Sequence, residues 1–385
     1  MKTVITADRL ITSERSIADP VLVVDDGVIA MMETRASTEF PSANQLNFTG
    51  CTLVPAFFDI HIHGSAGCDV MEGTPDAFTT VGKFLARHGV GAYLPTTVTA
   101  AVDVTLKSLE GMSAQIDRDM VGAKPLGIHI EGPFLSPHKK GAHPASLLQT
   151  PSVQLFERMW QASQGKIRLM TIAPELPNAE EVIAYATALG VRVSLGHSDA
   201  DTAAARAGIR AGAVTATHTF NAMRVFDHRD PGLLGEVLTN DDLYAELICD
   251  GLHVHPDAVR LYWRAKGPER AMLITDAMSA AGMPDGNYKL GELDVRVING
   301  RCIIGEDTLA GSTLTLARAV RNFAEFTGAS IDDVSKMVSR NPARMVGFEA
   351  QAGSLAVGRS ADITVLSSKN EVVETVLRGH CTISA

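Results

Sequence analysis

Phe57-Phe58-Asp59-Ile60-His61-Ile62-His63-Gly64 is the stretch on which the reading of this chain turns. On an extended strand, residues two apart point to the same face. His61 and His63 then project together, past the single apolar Ile62. Two imidazoles side by side at the end of an apolar strand form half of a transition-metal site. Two histidines that alternate for packing reasons alone would look the same. The two readings separate only if other strands end in further ligands.

Further strand-like runs follow. Apolar segments at 56–63, 90–98, 125–131, 167–173, 192–197, 214–220, 245–250 and 272–276 make eight, each followed by an amphipathic or helix-punctuated stretch. Thr74-Pro75 pairs a side-chain cap with Pro at the first helical position, and Gly89 closes that helix after Phe78, Val81 and Leu85. Asn178 is expected to cap a second helix, with Glu180 and Glu181 in its first turn and Gly190 at its end. Ser312 and Ser330 are expected to open two late helices, and Asn341-Pro342 a last short one. Eight β/α repeats over about 290 residues fit a (β/α)8 TIM barrel, which typically takes about 250. A doubly wound sheet is the runner-up, but no Gly-rich phosphate fingerprint follows the first strand.

The two ends differ in character from the middle. Asp25-Asp26-Gly27 separates Val21-Leu22-Val23-Val24 from Val28-Ile29-Ala30, a hairpin signal. Short strands recur after Gly353, at Asp362-Ile363-Thr364-Val365-Leu366 and Val372-Val373-Glu374-Thr375-Val376. Both ends are read as one small β-sandwich, which divides the chain into 1–53, 54–347 and 348–385, with the barrel in the middle.

At 385 residues, 45% hydrophobic and 20% charged, the composition is that of a globular enzyme and too apolar for disorder. No run is long enough to span a bilayer, and the first residues lack the apolar core of a signal peptide, so a cytoplasmic location is expected. Five scattered cysteines without a CxxC pair suggest neither a disulfide framework nor a zinc ribbon. A net charge of −10 argues against a nucleic-acid partner, and an anionic substrate would need local positive groups.

Catalytic groups in such barrels gather at the C-terminal ends of the strands. Here strand one ends in His61 and His63, strand three in His129 and Glu131, and strand five in His197. Strand six ends in His218 and Asn221, and strand eight in Asp276. Each alone could be a satisfied structural group; five strands converging on one rim favour the metal site.

The same segments carry a resemblance. His-x-His, Gly127-x-His-x-Glu131-Gly-Pro-Phe134, Leu195-Gly-His-Ser198, Thr217-His-x-x-Asn221-Ala222-Met223, Asp250-Gly-x-His253, Thr275-Asp-Ala277 and Leu309-Ala-Gly-Ser312 stand in order along nearly the whole chain. They resemble the amidohydrolase superfamily and, more narrowly, its N-acetylglucosamine-6-phosphate deacetylase family. The resemblance implies that Glu131, His197 and His218 hold a principal divalent metal, zinc or iron. His61 and His63 would complete a second site that shares Glu131, giving one or two ions per chain. It implies that Asp276 takes a proton from the attacking water and passes it to the departing amine. His143 would face the acetamido carbonyl or a sugar hydroxyl, and Leu309 would line the site. Arg229 and His253 would grip the 6-phosphate, helped by Asn221 and Ala222, with Arg229 reaching across from the neighbouring subunit of a homodimer. Two departures from relatives flank the histidine pair: Ala56 where Gly is usual, and Cys68 in a less glycine-rich loop.

Particular residues bear on the other readings. A cyclic-amide hydrolase needs a modified lysine at the end of strand four, where this chain has Thr171-Ile172-Ala173-Pro174-Glu175. An N-acyl-amino-acid deacylase shares the metal chemistry but needs a cation for a carboxylate rather than a phosphate. A barrel kept only as a scaffold should have lost ligands, and this chain retains every candidate.

Overall fold

The computed structural model describes residues 2–12, 14–35 and 44–383. Parallel strands Phe57–Ile62, Val90–Thr97, Ile128–Glu131, Ile167–Ile172, Arg192–Leu195, Ala213–Ala216, Tyr244–Ile248 and Ala271–Ile274 run side by side in chain order. Asp276 N donates to His61 O at 2.9 Å, and Ile62 bridges Ala277, which brings the last strand back to the first. The result is the expected (β/α)8 barrel. Its strands read as nearly continuous apolar runs because both faces are covered: Phe58, Ile60, Ile130, Met170, Leu195 and Leu273 are all fully buried.

Most helix boundaries follow local chemistry. Thr74 caps Pro75–Ala86, its Oγ1 accepting from Ala77 N at 3.3 Å. Ser330 caps Ile331–Ser335 as expected. Two expectations need correction. Asn178 precedes Ala179–Ala188 but its side chain caps nothing; it lies at φ +65° and its Nδ2 donates to Pro151 O. Ser312 does not open a helix either. Its hydroxyl donates to Thr275 O at 2.6 Å, and the helix Leu316–Thr327 starts three residues later on Thr315.

Both chain ends enter one eight-stranded sheet, in which Asn44–Pro55 lies between Lys2–Ile11 and Ile363–Leu366. This sheet folds on its own core of Ile5, Leu10, Leu22, Ile29, Leu53, Ile363 and Val376. The Asp26-Gly27 turn has positive φ at both residues, +47° and +82°, as a two-residue hairpin between right-twisted strands requires. A feature not anticipated is the antiparallel sheet Gly286–Leu290, Leu293–Ile298, Arg301–Ile304 and Thr308–Leu309, inserted between the eighth strand and its helix. Leu290, Val295, Val297 and Cys302 pack its inner face onto Val98 and Met278, fixing it as a cover over one side of the barrel mouth.

Candidate metal centre

The strand ends place their polar residues inward by an unusual backbone route. His197, His218, Ala222 and Asp276 all have positive φ, between +27° and +50°. Left-handed backbone is costly for residues with a Cβ and persists where surrounding structure over-determines it, most often at functional sites. His197, His218 and Asp276 each turn the chain at the rim just after a strand, and Ala222 lies further along the loop that follows His218.

The side chains meet around Glu131. Its Oε1 lies 3.2 Å from His197 Nε2, 3.2 Å from His218 Nε2 and 3.4 Å from His61 Nε2. Its Oε2 lies 3.4 Å from His63 Nε2 and 3.5 Å from His143 Nε2. Asp276 Oδ1 is 3.0 Å from His63 Nε2 and 3.5 Å from His61 Nε2. All seven residues are buried. The departures at Ala56 and Cys68 leave the pair converging: Ala56 packs against Gly91, and Cys68 sits in a short hairpin with Ser65.

Which ring nitrogen carries the proton follows from the acceptors behind each ring. His63 Nδ1 faces Thr96 O at 3.1 Å and His197 Nδ1 faces Lys139 O at 2.9 Å; carbonyls only accept, so these nitrogens donate. His61 Nδ1 donates to Glu246 Oε2 at 3.2 Å. With Nδ1 holding its proton, each ring is left with Nε2 facing the centre, a lone-pair donor once deprotonated, which is the state a metal ligand needs. His143 is the opposite case. Thr99 N donates to its Nδ1 at 3.2 Å, so its Nε2 carries the proton and faces the cavity as a donor.

Charge behaves as this crowding dictates. Burial alone would lower the pKa of His61, but Glu131 and Asp276 outweigh it and hold it well above the ordinary value. His63 is pushed up to about 9 by Asp276 and Glu131, against its own burial. Burial takes His197 down to about 4 despite Glu131. For Asp276, the penalty of burial is overcome by His61 and His63, which hold it at about 2. The buried carboxylates are thus ionised and demand positive charge beside them.

Two donor sets have metal-site spacing, His61 with His63 and Asp276, and Glu131 with His143 and His197. With its Nε2 protonated, His143 cannot ligate in this state, and His218 takes its place in the second set, 3.0 Å from His197 Nε2. Two Nε2 atoms that close, together with a buried His61 Nε2 that has no hydrogen-bond partner, fit a cation between them. The donor set of imidazoles and carboxylates suits a divalent transition metal.

A cavity of about 340 Å³ opens over this cluster, lined by Asn221, Ala222, His253, Leu290, Thr308 and Leu309 as well as most of the clustered residues. His253 is anchored by Asp250, Nδ1 to Oδ2 at 2.7 Å. Arg229 is exposed in its loop and does not line the cavity of its own chain. His138 and Lys139, which are not among the candidates drawn from the sequence, also line it. A larger cavity of about 770 Å³ lies between the terminal sheet and the start of strand Val90–Thr97, and none of the residues clustered around Glu131 lines it.

Comparison with known proteins accords with this geometry. The profile of the amidohydrolase family matches residues 52–381. The chain belongs to the amidohydrolase family. Among curated members it is 39% identical over 380 residues to an N-acetylgalactosamine-6-phosphate deacetylase of Escherichia coli O157:H7, covering 99% of each chain. It is 35% identical over 374 residues to the N-acetylglucosamine-6-phosphate deacetylase of Bacillus subtilis, covering 96% of this chain and 94% of the relative. A solved family member from Mycobacterium smegmatis, a mutant N-acetyl-D-glucosamine-6-phosphate deacetylase in complex with N-acetyl-D-glucosamine-6-phosphate, superposes with a TM-score of 0.93 at 33% identity, covering 99% of both chains.

Proposed function

We propose that the chain hydrolyses the N-acetyl group of N-acetylglucosamine 6-phosphate, giving glucosamine 6-phosphate and acetate, in amino-sugar breakdown or recycling. The observation that carries this reading is the full-length likeness to the substrate-bound M. smegmatis structure, combined with the buried donor cluster at this chain's barrel mouth. Glu131, His197 and His218 would hold one divalent ion, zinc or iron. His61, His63 and Asp276 would hold a second, and Glu131 lies between the two sets, its Oε1 facing His197, His218 and His61 and its Oε2 facing His63. A bound ion supplies Lewis acidity, polarising a carbonyl and making water acidic enough to attack at neutral pH.

The protein's own groups do the rest. Asp276, ionised because His61 and His63 face it, accepts the proton of the attacking water. It then delivers that proton to the amide nitrogen, which must be protonated to leave as an amine. His143 donates its Nε2–H to the acetamido oxygen as negative charge develops there. His253, Asn221 and Ala222 hold the phosphate from within the chain. Arg229 reaches it from a second copy, and the exposed Val225 and Phe226 just before it in the loop suit an interface between two chains. Residues 54–347 form the catalytic unit, supported by 1–53 and 348–385. No helix among the described residues is long and apolar enough to cross a membrane, and we place the enzyme in the cytoplasm, where phosphorylated sugars are found.

The E. coli relative favours a second reading, the N-acetylgalactosamine epimer, which differs only in configuration at C4. Acetate release from the two 6-phosphates, measured side by side with the unphosphorylated sugars, distinguishes these readings. Equal turnover of a sugar lacking the phosphate would refute the phosphate grip.

A further inference from the structure

Glu246 lies in the middle of the seventh barrel strand, Tyr244–Ile248, and is fully buried. It is outside every residue set assigned above. From across the barrel interior, its Oε2 accepts from His61 Nδ1 at 3.2 Å and from the backbone N of His218 at 3.3 Å. One carboxylate oxygen thus holds a residue from each of the two donor sets. Its other oxygen, Oε1, is buried with no protein partner, as is His218 Nδ1. A carboxylate so placed is costly unless positive charge lies near it.

Counting charge defines what that positive charge is. Glu131, Asp276 and Glu246 bring three carboxylates into one buried cluster whose imidazoles are neutral when they act as ligands. One divalent ion leaves this cluster negative; two more than balance it and leave room for an anionic substrate. Glu246 also fixes the tautomer of His61. With the proton committed to Nδ1, only Nε2 remains as a lone-pair donor, and it faces Asp276 and Glu131.

We propose that Glu246 is a positioning residue for the second metal ion: by holding the Nδ1 proton of His61 and adding its own charge behind that ring, it decides whether the chain carries one ion or two. This rests on the two-ion reading of the site. Carboxylates behind metal-bound histidines typically account for about 10- to 100-fold in metal affinity.

The test uses metal-free full-length protein, titrated with zinc by calorimetry and followed by elemental analysis after gel filtration. Wild type is expected to bind two zinc ions per chain. Glu246→Gln, which keeps shape but loses charge and can present an amide donor to His61, should bind the first ion as wild type does and the second roughly 10- to 100-fold more weakly. Glu246→Asp, which keeps the charge, should recover part of the second affinity. Circular dichroism and the thermal midpoint confirm that the variants fold, and if Glu246→Gln does not fold, Glu246→Asp carries the test through a selective weakening of the second ion. Undiminished binding of both ions in a folded variant overturns the proposal, as does an equal weakening of both, which would mark a purely structural role. A wild type that binds a single ion overturns the two-ion reading itself, a result distinct from either.

Discussion

Replacing Asp276 by Asn removes the proposed proton acceptor, and with it an anionic donor to the second ion, at almost unchanged side-chain volume. The side chain is buried at the end of the eighth strand, 3.0 Å from His63 and 3.5 Å from His61. Asn has the same volume, and its amide can still occupy that gap, but it cannot take a proton from water. A positioned general base and acid contributes about 10²- to 10⁴-fold. At about 1.4 kcal/mol per decade, the loss is roughly 3–5 kcal/mol of transition-state stabilisation. It should appear in kcat, with KM for N-acetylglucosamine 6-phosphate nearly unchanged, because no substrate contact is removed. Acetate release, coupled to a colorimetric assay and normalised to metal content, measures it. The ion at Glu131, His197 and His218 should remain. A folded, metal-loaded Asp276→Asn protein with kcat within tenfold of wild type would refute the proton-transfer role.

Other outcomes follow from particular contacts. Arg229→Ala should raise KM for the phosphorylated sugar about 10- to 100-fold, since a charged hydrogen bond is worth about 1.5–3 kcal/mol; mixing it with Asp276→Asn chains should restore activity, and no recovery would place Arg229 in its own subunit's site. Tyr262→Phe should cost roughly 2–4 kcal/mol in chemical denaturation, because the hydroxyl that donates to Ala245 O and accepts from Met272 N leaves two buried backbone groups unpaired. Burial lowers the pKa of Lys266 to about 8, below its unfolded value, so the folded state binds fewer protons between about pH 8 and 10.5. Stability relative to Lys266→Met should therefore rise across that window and level off above it; thermal midpoints that stay parallel over the range would contradict this.

What could be read from the chain alone depended on whether a residue's partners were local. The barrel strands were legible because apolar runs ended in His, Glu or Asp at a shared rim, and the structure places those residues around Glu131. The hairpin at Asp26-Gly27 and the caps at Thr74 and Ser330 were legible because a few adjacent residues decide them. Ser312 was misread because its hydroxyl is taken by Thr275 O, 37 residues away in sequence, leaving the cap to Thr315. The sheet Gly286–Leu309 was missed although Leu293–Ile298 alternates buried and exposed residues, a period-two signal that could have revealed it. Glu246 and Lys139 gave no local sign: a single charge within an apolar strand, and one in a basic loop, acquire meaning only from His61 and His197 across the barrel mouth.

Acetate release from N-acetylglucosamine 6-phosphate, measured on metal-loaded protein against N-acetylgalactosamine 6-phosphate and free N-acetylglucosamine, tests the central claim most directly. The account predicts turnover that needs the metal, with kcat/KM for N-acetylglucosamine 6-phosphate well above that for the free sugar and above that for the epimer. No acetate release from any of the three by metal-loaded protein would contradict it.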